Sequence, residues 1–459
     1  MSTQTSCTIL QPRPYASCSG RLLLLPLLSS KRTFDLPTEL WVRVFELGAG
    51  GKQGTKFLWV LLTVSKRFKD IALPLFYSSI HISSLPNLSS FWKHLHIADT
   101  KWDSIRRSPY SAPGRWVQEL DLRGLQFTSQ PAALEFDGIL TSLFPLIPFL
   151  SSLRINPSFL LSRRAIDALV ESAVGGTGVL MLRKLEGLSY VPQIQAAQYL
   201  FGGIPEGHSE EPLVRLLRYC PYLEELEVIG RGLDPMELDF LNSTIPDVSN
   251  DLDSNVPGIA PLHLPALQNL TLLSHLHSSS LILTLLLTPL PSLKKLTITP
   301  YDDVPFPYSL SSQFILVHGS NLSTLSLLTP NSNEWPRRVH KSPNLRTILG
   351  ACPQLRHLGL ENPLPEVEMP PLETQNQTHP LEILSLPRPS PTSYTILTMV
   401  LPILPNLCAV RARDVRWLRK GMGLRAMEAG VQGEMREWRR KLARRGIRVV
   451  DGEWKDAEE

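Results

Sequence analysis

No two cysteines stand at C-x-x-C spacing, although the chain has five: Cys7, Cys18, Cys220, Cys352 and Cys408. An odd, scattered set excludes a disulfide framework or a zinc knuckle and points to a reducing compartment. Three of them, Cys220, Cys352 and Cys408, fall at or near equivalent places in a repeated phrase, where burial as small apolar side chains is expected. Aromatic residues make up only 7% and charged residues 19% of the 459 residues. That balance excludes a disordered or fibrous chain and fits a globular one of about two domains. Long apolar runs are missing too. The run RLLLLPLLSS at 21–30 is broken by Pro26 and far too brief to span a bilayer. It reads as part of a disordered tail, 1–33, in preference to a targeting segment.

Catalytic constellations are equally sparse. In GAGGKQGT, Glu46 stands where a phosphate loop needs its first glycine, and Gln53 stands where a hydroxyl should follow the lysine. Asp251, Asp253 and Asn255 resemble calcium ligands, but Val256 replaces the turn glycine and Leu262 the closing glutamate. His94-x-His96 and His275-x-His277 lack a third ligand at a telling distance. No nucleophile has a base beside it. The sequence therefore predicts no enzyme, no cofactor and no metal.

Leucine and proline are what the chain does have, in a recurring order. The phrase L-x-x-L-x-L appears in CPYLEELEVIG (220–230), LPALQNLTL (264–272), LPSLKKLTI (290–298), GSNLSTLSL (319–327) and CPQLRHLGLEN (352–362). Its central leucines, Leu226, Leu270, Leu296, Leu325, Leu358 and Leu384, are separated by 44, 26, 29, 33 and 26 residues. Looser copies are VQELDL at 117, LSSLRI at 150, LRKLEG at 182 and LCAVRA at 407. Self-similarity at such periods marks a solenoid, in which stacking supplies the core that one repeat lacks. The last two leucines alternate with polar residues, which is strand periodicity, and flanking prolines leave room only for a short strand.

Helical spacing fills the intervals. Leu345, Ile348 and Leu349 share a face in SPNLRTILGAC, where Ser342 can cap and Pro343 can open the helix. SSQFILVHG stops at Gly319, and RRAIDALVESAVGG stops at Gly175 and Gly176. Strand and helix in alternation predict an α/β fold with a parallel sheet. The whole resembles the leucine-rich-repeat family in its long, irregular variety, over about 115–412. The asparagine that usually follows the strand in that family is mostly missing.

A second signal lies at DLPTELWVRVFELG (35–48) and TKFLWVLLTVSKRFKDIALPLFYSSIHI (55–82). Pro37 suits a first helical turn, Leu40, Val44 and Leu47 recur at i, i+4 and i+7, and Gly48 ends the pattern. Leu58, Leu61 and Leu62 form a further stripe. Ser65 can start a third helix that turns Phe68, Ile71 and Ala72 one way. This stretch closely resembles the F-box, with its Leu-Pro, the Glu-Leu two residues on, and a later Val-Ser before a basic-aromatic pair.

The combined resemblance is to fungal-type F-box proteins with C-terminal leucine-rich repeats, and it implies a division of labour. F-box proteins of this kind are substrate-receiving subunits of SCF-type cullin-RING ubiquitin ligases, which dock a Skp-family adaptor and hold the target on the repeats. On matching positions the adaptor contacts would be Leu36, Pro37, Leu40, Val44, Leu58, Leu61, Val64 and Phe68. Part of that set must hold the module's own core. The expected partners are the adaptor, through it a cullin, and an unidentified protein target, with no membrane. The expected location is cytoplasm, nucleus or both.

Target contacts would come from the solenoid's inner surface, at residues between and just after the strand leucines. These include Glu225, Glu227, Asn269, Lys295 and Thr297, followed by Thr324, Ser326, His357, Arg411 and Arg413. Earlier copies add Glu119, Asp121, Arg123 and Arg154, and a later one Ser385. Their signs are mixed, so no ligand class stands out. The domain boundaries are a tail at 1–33, the F-box at 34–82, a connector at 83–114, repeats at 115–412 and a basic cap at 413–459. Residues 411–448 carry 13 Lys/Arg against 4 Asp/Glu. Met435, Trp438 and Leu442 make that stretch an amphipathic helix closing the solenoid, with GIRVV as a last strand, in preference to a nucleic-acid patch. Acidic loops interrupt the repeats at 231–261 and 361–380. An interaction scaffold outside any ubiquitin ligase is the alternative reading.

Overall fold

The structure, a computed structural model, describes residues 36–51, 54–100, 113–127, 129–174, 178–190, 211–230, 260–273, 280–299, 310–328, 345–361, 378–417 and 431–456. The predicted tail, Gly175, Gly176, Ser342, Pro343, His275, His277 and nearly all of the two acidic loops lie outside these residues. The chain divides into two compact units, Met1–Ala72 and Leu73–Glu459.

The first unit is helical: α1 (Thr38–Ala49), α2 (Gly54–Val64) and the start of α3 (Lys66–Ser78). Ser65 caps α3 through its hydroxyl, which accepts the Phe68 amide at 3.1 Å, as the sequence led us to expect. Gly48 does not end α1. The helix runs on to Ala49 with Gly50 after it, and a Cβ on Gly48 would meet the Phe57 ring at 2.4 Å. Gly48 thus serves the close approach of α1 and α2, and is not the stop that its type alone suggested.

The second unit is an α/β solenoid. Among the described residues twelve strands form one sheet in strict chain order, every neighbouring pair parallel. They are β1 (Ser79–His81), β2 (Glu119–Asp121), β3 (Ser152–Arg154), β4 (Lys184–Tyr190), β5 (Glu225–Gly230), β6 (Asn269–Leu273), β7 (Lys295–Ile298), β8 (Thr324–Leu327), β9 (His357–Gly359), β10 (Ile383–Leu386), β11 (Ala409–Ala412) and β12 (Arg448–Val450). The sheet therefore reaches past 115–412 at both ends. Helices between the strands are α4 (Leu85–Thr100), α5 (Gln130–Leu143), α6 (Arg163–Val174), α7 (Pro212–Arg218), α8 (Ser280–Leu287), α9 (Leu310–His318), α10 (Leu345–Ala351), α11 (Pro391–Val400) and α12 (Val431–Ala443).

One device repeats along the sheet. From β2 to β11 the carbonyl just before one strand accepts two successive amides that open the next: Gln118 takes Ser151 and Ser152, Glu224 takes Gln268 and Asn269, and Arg356 takes Glu382 and Ile383. Each repeat is thus stitched to its neighbour before the ladder begins, which satisfies backbone groups that a short strand would leave unpaired. Beyond β3, Asn156 adds a side-chain link of the same kind, its amide donating to the Arg123 and Leu125 carbonyls of the preceding repeat at 3.2 and 2.7 Å.

The leucines behave as their spacing requires. Leu264, Leu267, Leu270 and Leu272 of one copy are all buried, and a single hydrophobic cluster runs from Ile82 to Val449. At about 25 cal/mol per Å² of apolar surface, this continuous row is what makes stacked repeats stable where one alone is not. The predicted cap is realised: Met435, Trp438 and Leu442 are buried on α12, and β12 adds to β11. Cys220 and Cys352 are buried, but Cys408 is exposed, contrary to expectation. It sits one residue ahead of β11, at the edge of the ladder, where its amide and its thiol both donate to the Glu382 carbonyl and the side chain stays open to water.

Candidate functional site

In the helical unit, α1 has two apolar stripes and buries one of them. Trp41 and Phe45 turn inward, where Trp41 meets Phe68 at 4.9 Å between ring centroids and Phe45 meets Phe68 edge-on at 5.2 Å. Leu58 and Leu61 of α2, with Ile71 and Ala72 of α3, complete this core. Leu40, Val44 and Leu47, the i, i+4, i+7 stripe read from the sequence, face water at 51%, 47% and 69% exposure. Trp59, Val60 and Val64 of α2 are exposed as well.

The eight residues matched to adaptor contacts therefore divide. Pro37, Leu40, Val44 and Val64 are on the surface, and Leu36 and Phe68 are half-buried. Leu58 and Leu61 are buried in the module's own core. Trp59 and Val60 were not singled out by the motif. The signal for them was present in FLWVLL, which is apolar on every side of its helix although one side suffices for a core. Solvent-exposed apolar side chains on this scale mark an interaction surface.

In the solenoid, the sheet face away from the leucines carries the other predicted residues, and the register aligns them. Glu225, Asn269, Lys295, Thr324 and His357 stand side by side in one row across β5 to β9. Two residues along, Glu227, Thr271, Thr297, Ser326, Gly359, Ser385 and Arg411 form a second row across β5 to β11. Arg413 follows just past the end of β11. Thr297 and Ser385 are buried, so these two act as floor in place of contact.

The two ends of this face differ in charge. Toward β1–β5 the charges are matched, both within a repeat and across strands. Arg123 donates to Asp121 at 2.7 Å, Arg154 lies 3.3 Å from Glu186, and Lys184 meets Glu225 at 2.8 Å. Arg123 lowers the Asp121 pKa chiefly through its hydrogen bond, and Glu225 raises that of Lys184 in the same way. Glu227 lies deeper. Burial first, and then the charge of Glu186, raises its pKa.

Toward β7–β12 the balance turns positive. The His357 pKa is lowered to about 4, first by burial and then by the charges of Arg411, Lys295 and Arg413. His357 Nε2 is 2.7 Å from the Ser385 hydroxyl. Arg413 pairs with Glu361 at 2.6 Å. Arg411 donates to the Gly452 carbonyl at 2.5 Å and lies under the Trp454 ring, 4.4 Å from its centroid. Trp454 also meets His357 edge-on at 5.6 Å. A turn built on Asp451 holds the tryptophan there, its carboxylate accepting the amides of Trp417, Glu453 and Lys455. Trp454, in the left-handed region at φ 63°, is the only non-glycine residue with positive φ among the described residues.

Among the described residues no helix is long and apolar enough to cross a membrane. No protein-family model matches the sequence, and no curated protein matches it. Among the solved structures that match is the crystal structure of a Rad7 and Elc1 complex in yeast, at 13% sequence identity, with 84% of this chain and 90% of that chain covered. The TM-score is 0.27, an overlap too small to support any argument about fold or function.

Proposed function

We propose that this chain is the target-recruiting subunit of an SCF-type cullin-RING ubiquitin ligase, with α1–α3 docking a Skp-family adaptor and the open sheet face holding the target protein. On this reading it performs no chemistry itself and works in the cytoplasm or nucleus. The observation that carries the reading is the second stripe of α1. Leu40, Val44 and Leu47 stay in water while Trp41 and Phe45 already supply the inward face. A helix needs one apolar side to fold, and a second is maintained at a solubility cost unless a partner covers it. An apolar helix face laid into a partner's groove is a recurrent recognition mode, in which a few large residues carry most of the affinity.

The F-box resemblance of LPTELWVRVFELG and TVSKRFKDIALPLFYSSI gives the partner's identity on this reading. The solenoid supports the second half of the proposal, because its open face is a broad surface of aligned polar side chains.

Co-purification with a Skp-family adaptor tests it. The intact chain should form a stoichiometric complex. A Leu40→Asp, Val44→Asp double variant, altered only at exposed positions, should keep its melting temperature and lose the complex. If the intact chain forms none, the ligase reading falls and an interaction scaffold remains.

A further inference from the structure

The open face carries two chemistries, and only one of them is already satisfied from within. From β1 to β5, carboxylates and cations neutralise one another, Arg123 with Asp121 of its own repeat and Arg154 with Glu186 and Lys184 with Glu225 across neighbouring strands. From β7 to β12 this matching stops. Lys295 and Arg448 are exposed, and neither they nor Arg411 has a carboxylate partner within ion-pair distance among the described residues. Among the described residues the carboxylates at this end are Glu361, held by Arg413, Glu453, paired with Arg416 and Lys455, Asp451, whose oxygens are spent on backbone amides, and the exposed Asp414 just past β11. Asp451 does bear on Arg411 at a distance, but burial and the Arg413 charge outweigh it.

The covering group is unusual as well. Instead of a carboxylate, the chain places an indole over the Arg411 guanidinium, and holds Trp454 in a backbone conformation that bulky residues avoid. An aromatic face offsets part of a cation's desolvation cost but brings no acceptor oxygen. The Nε atoms of Arg411 and Arg413 remain buried without a hydrogen-bond partner among the described residues. Between these cations and Lys295 the second row is low: Ser326, Gly359 and Ser385 put almost no side chain above the sheet. A trough of small residues flanked by Lys295 and Arg411, neither of them paired with a carboxylate among the described residues, suits an extended, negatively charged chain.

We propose that the open face of β7–β12 grips the target through an acidic stretch of its chain, whose carboxylate or phosphate groups meet Lys295, Arg411 and Arg448 while its backbone lies over Ser326 and Gly359. This inference rests on the reading of the face as the target-holding surface, and names the chemistry it selects. The paired end of the face contributes shape and little net charge.

The test uses the full chain and three fluorescein-labelled peptides, oligoglutamate, the same length rich in phosphoserine, and oligoglutamine, followed by fluorescence anisotropy. An acidic peptide should bind more tightly than oligoglutamine and weaken as salt rises. Lys295→Glu and Arg448→Glu, both at exposed positions, should each lower that affinity about fivefold or more. Arg164→Glu, the same charge change on α6, should leave it unchanged. Tighter binding of the phosphoserine peptide than of oligoglutamate would assign the group as phosphate, and equal binding would assign carboxylate. The proposal is overturned if oligoglutamine binds as well as either acid, or if Arg164→Glu costs as much as Lys295→Glu. Adaptor co-purification of the same preparations separates the two readings. Acidic-peptide binding without an adaptor complex keeps this site and removes the ligase, whereas an adaptor complex without acidic-peptide binding does the reverse.

Discussion

A Cβ on Gly187 would stand 2.0 Å from the carbonyl oxygen of Ile155 in the preceding repeat, and Gly187 itself holds a φ of +73°. It lies at the register break between Leu185 and Leu188 in the β4–β5 pairing. The extra residue lets Glu186 pair beside Arg154 and still returns Leu188 to the core. Gly187→Ala meets both the clash and the strained φ, so it should lower stability by about 2–4 kcal/mol. Gly350→Ala in α10, where a Cβ would meet nothing within 4 Å, should be neutral or raise stability by less than about 1 kcal/mol. Thermal melts of both variants check this, and equal melting temperatures would show that the break tolerates a side chain.

The two stripes of α1 should separate in a stability experiment. Phe45→Ala removes the centre of the aromatic cluster and should cost the helical unit about 3–5 kcal/mol. Leu47→Ser, at an exposed site, should change stability by no more than about 0.5 kcal/mol. Denaturant titration followed by tryptophan fluorescence reads both, and the reverse ranking would mean that the inner and outer faces are exchanged.

His357 gives the solenoid a pH response. Its folded pKa of about 4 lies below the ordinary value of 6.5, so below pH 6.5 the unfolded chain takes up a proton that the folded chain resists. The stability linked to this group is complete above pH 6.5 and is lost as pH falls through that window towards 4. His357→Gln should flatten the acid limb of melting temperature against pH. An unchanged limb would assign the acid sensitivity to other groups.

Thiol reactivity should follow burial. The pKa values of Cys220 and Cys352 are raised to about 12 by burial, so both should resist iodoacetamide at neutral pH until the protein unfolds. Cys408, exposed ahead of β11, should be alkylated in the folded protein. Peptide mapping by mass spectrometry distinguishes the sites, and early labelling of Cys352 would mean that the α10–β9 turn opens.

Much of the fold was legible because its signals are local. The phrase L-x-x-L-x-L placed Leu226, Leu270 and Leu296 in register-matched strands across gaps of 44 and 26 residues. Met435, Trp438 and Leu442 similarly announced the closing helix. Legibility ended where two stripes compete for one core. On α1 the spacing of Leu40, Val44 and Leu47 is as regular as that of Trp41 and Phe45. Only packing against Phe68 shows which of them is inside.

The sequence by itself determined the repeat, the alternation of strand and helix, and the candidate rows of the open face, because each follows from side-chain periodicity within a few residues. The tertiary structure alone decided how those rows are charged. Lys184 lies 41 residues from Glu225, Arg413 lies 52 from Glu361, and Trp454, in the turn after β12, comes to rest on Arg411 of β11. Pairings of that kind depend on loops of unequal length and on a carboxyl-terminal turn, and electrostatic energy depends on the distances they set, not on order along the chain.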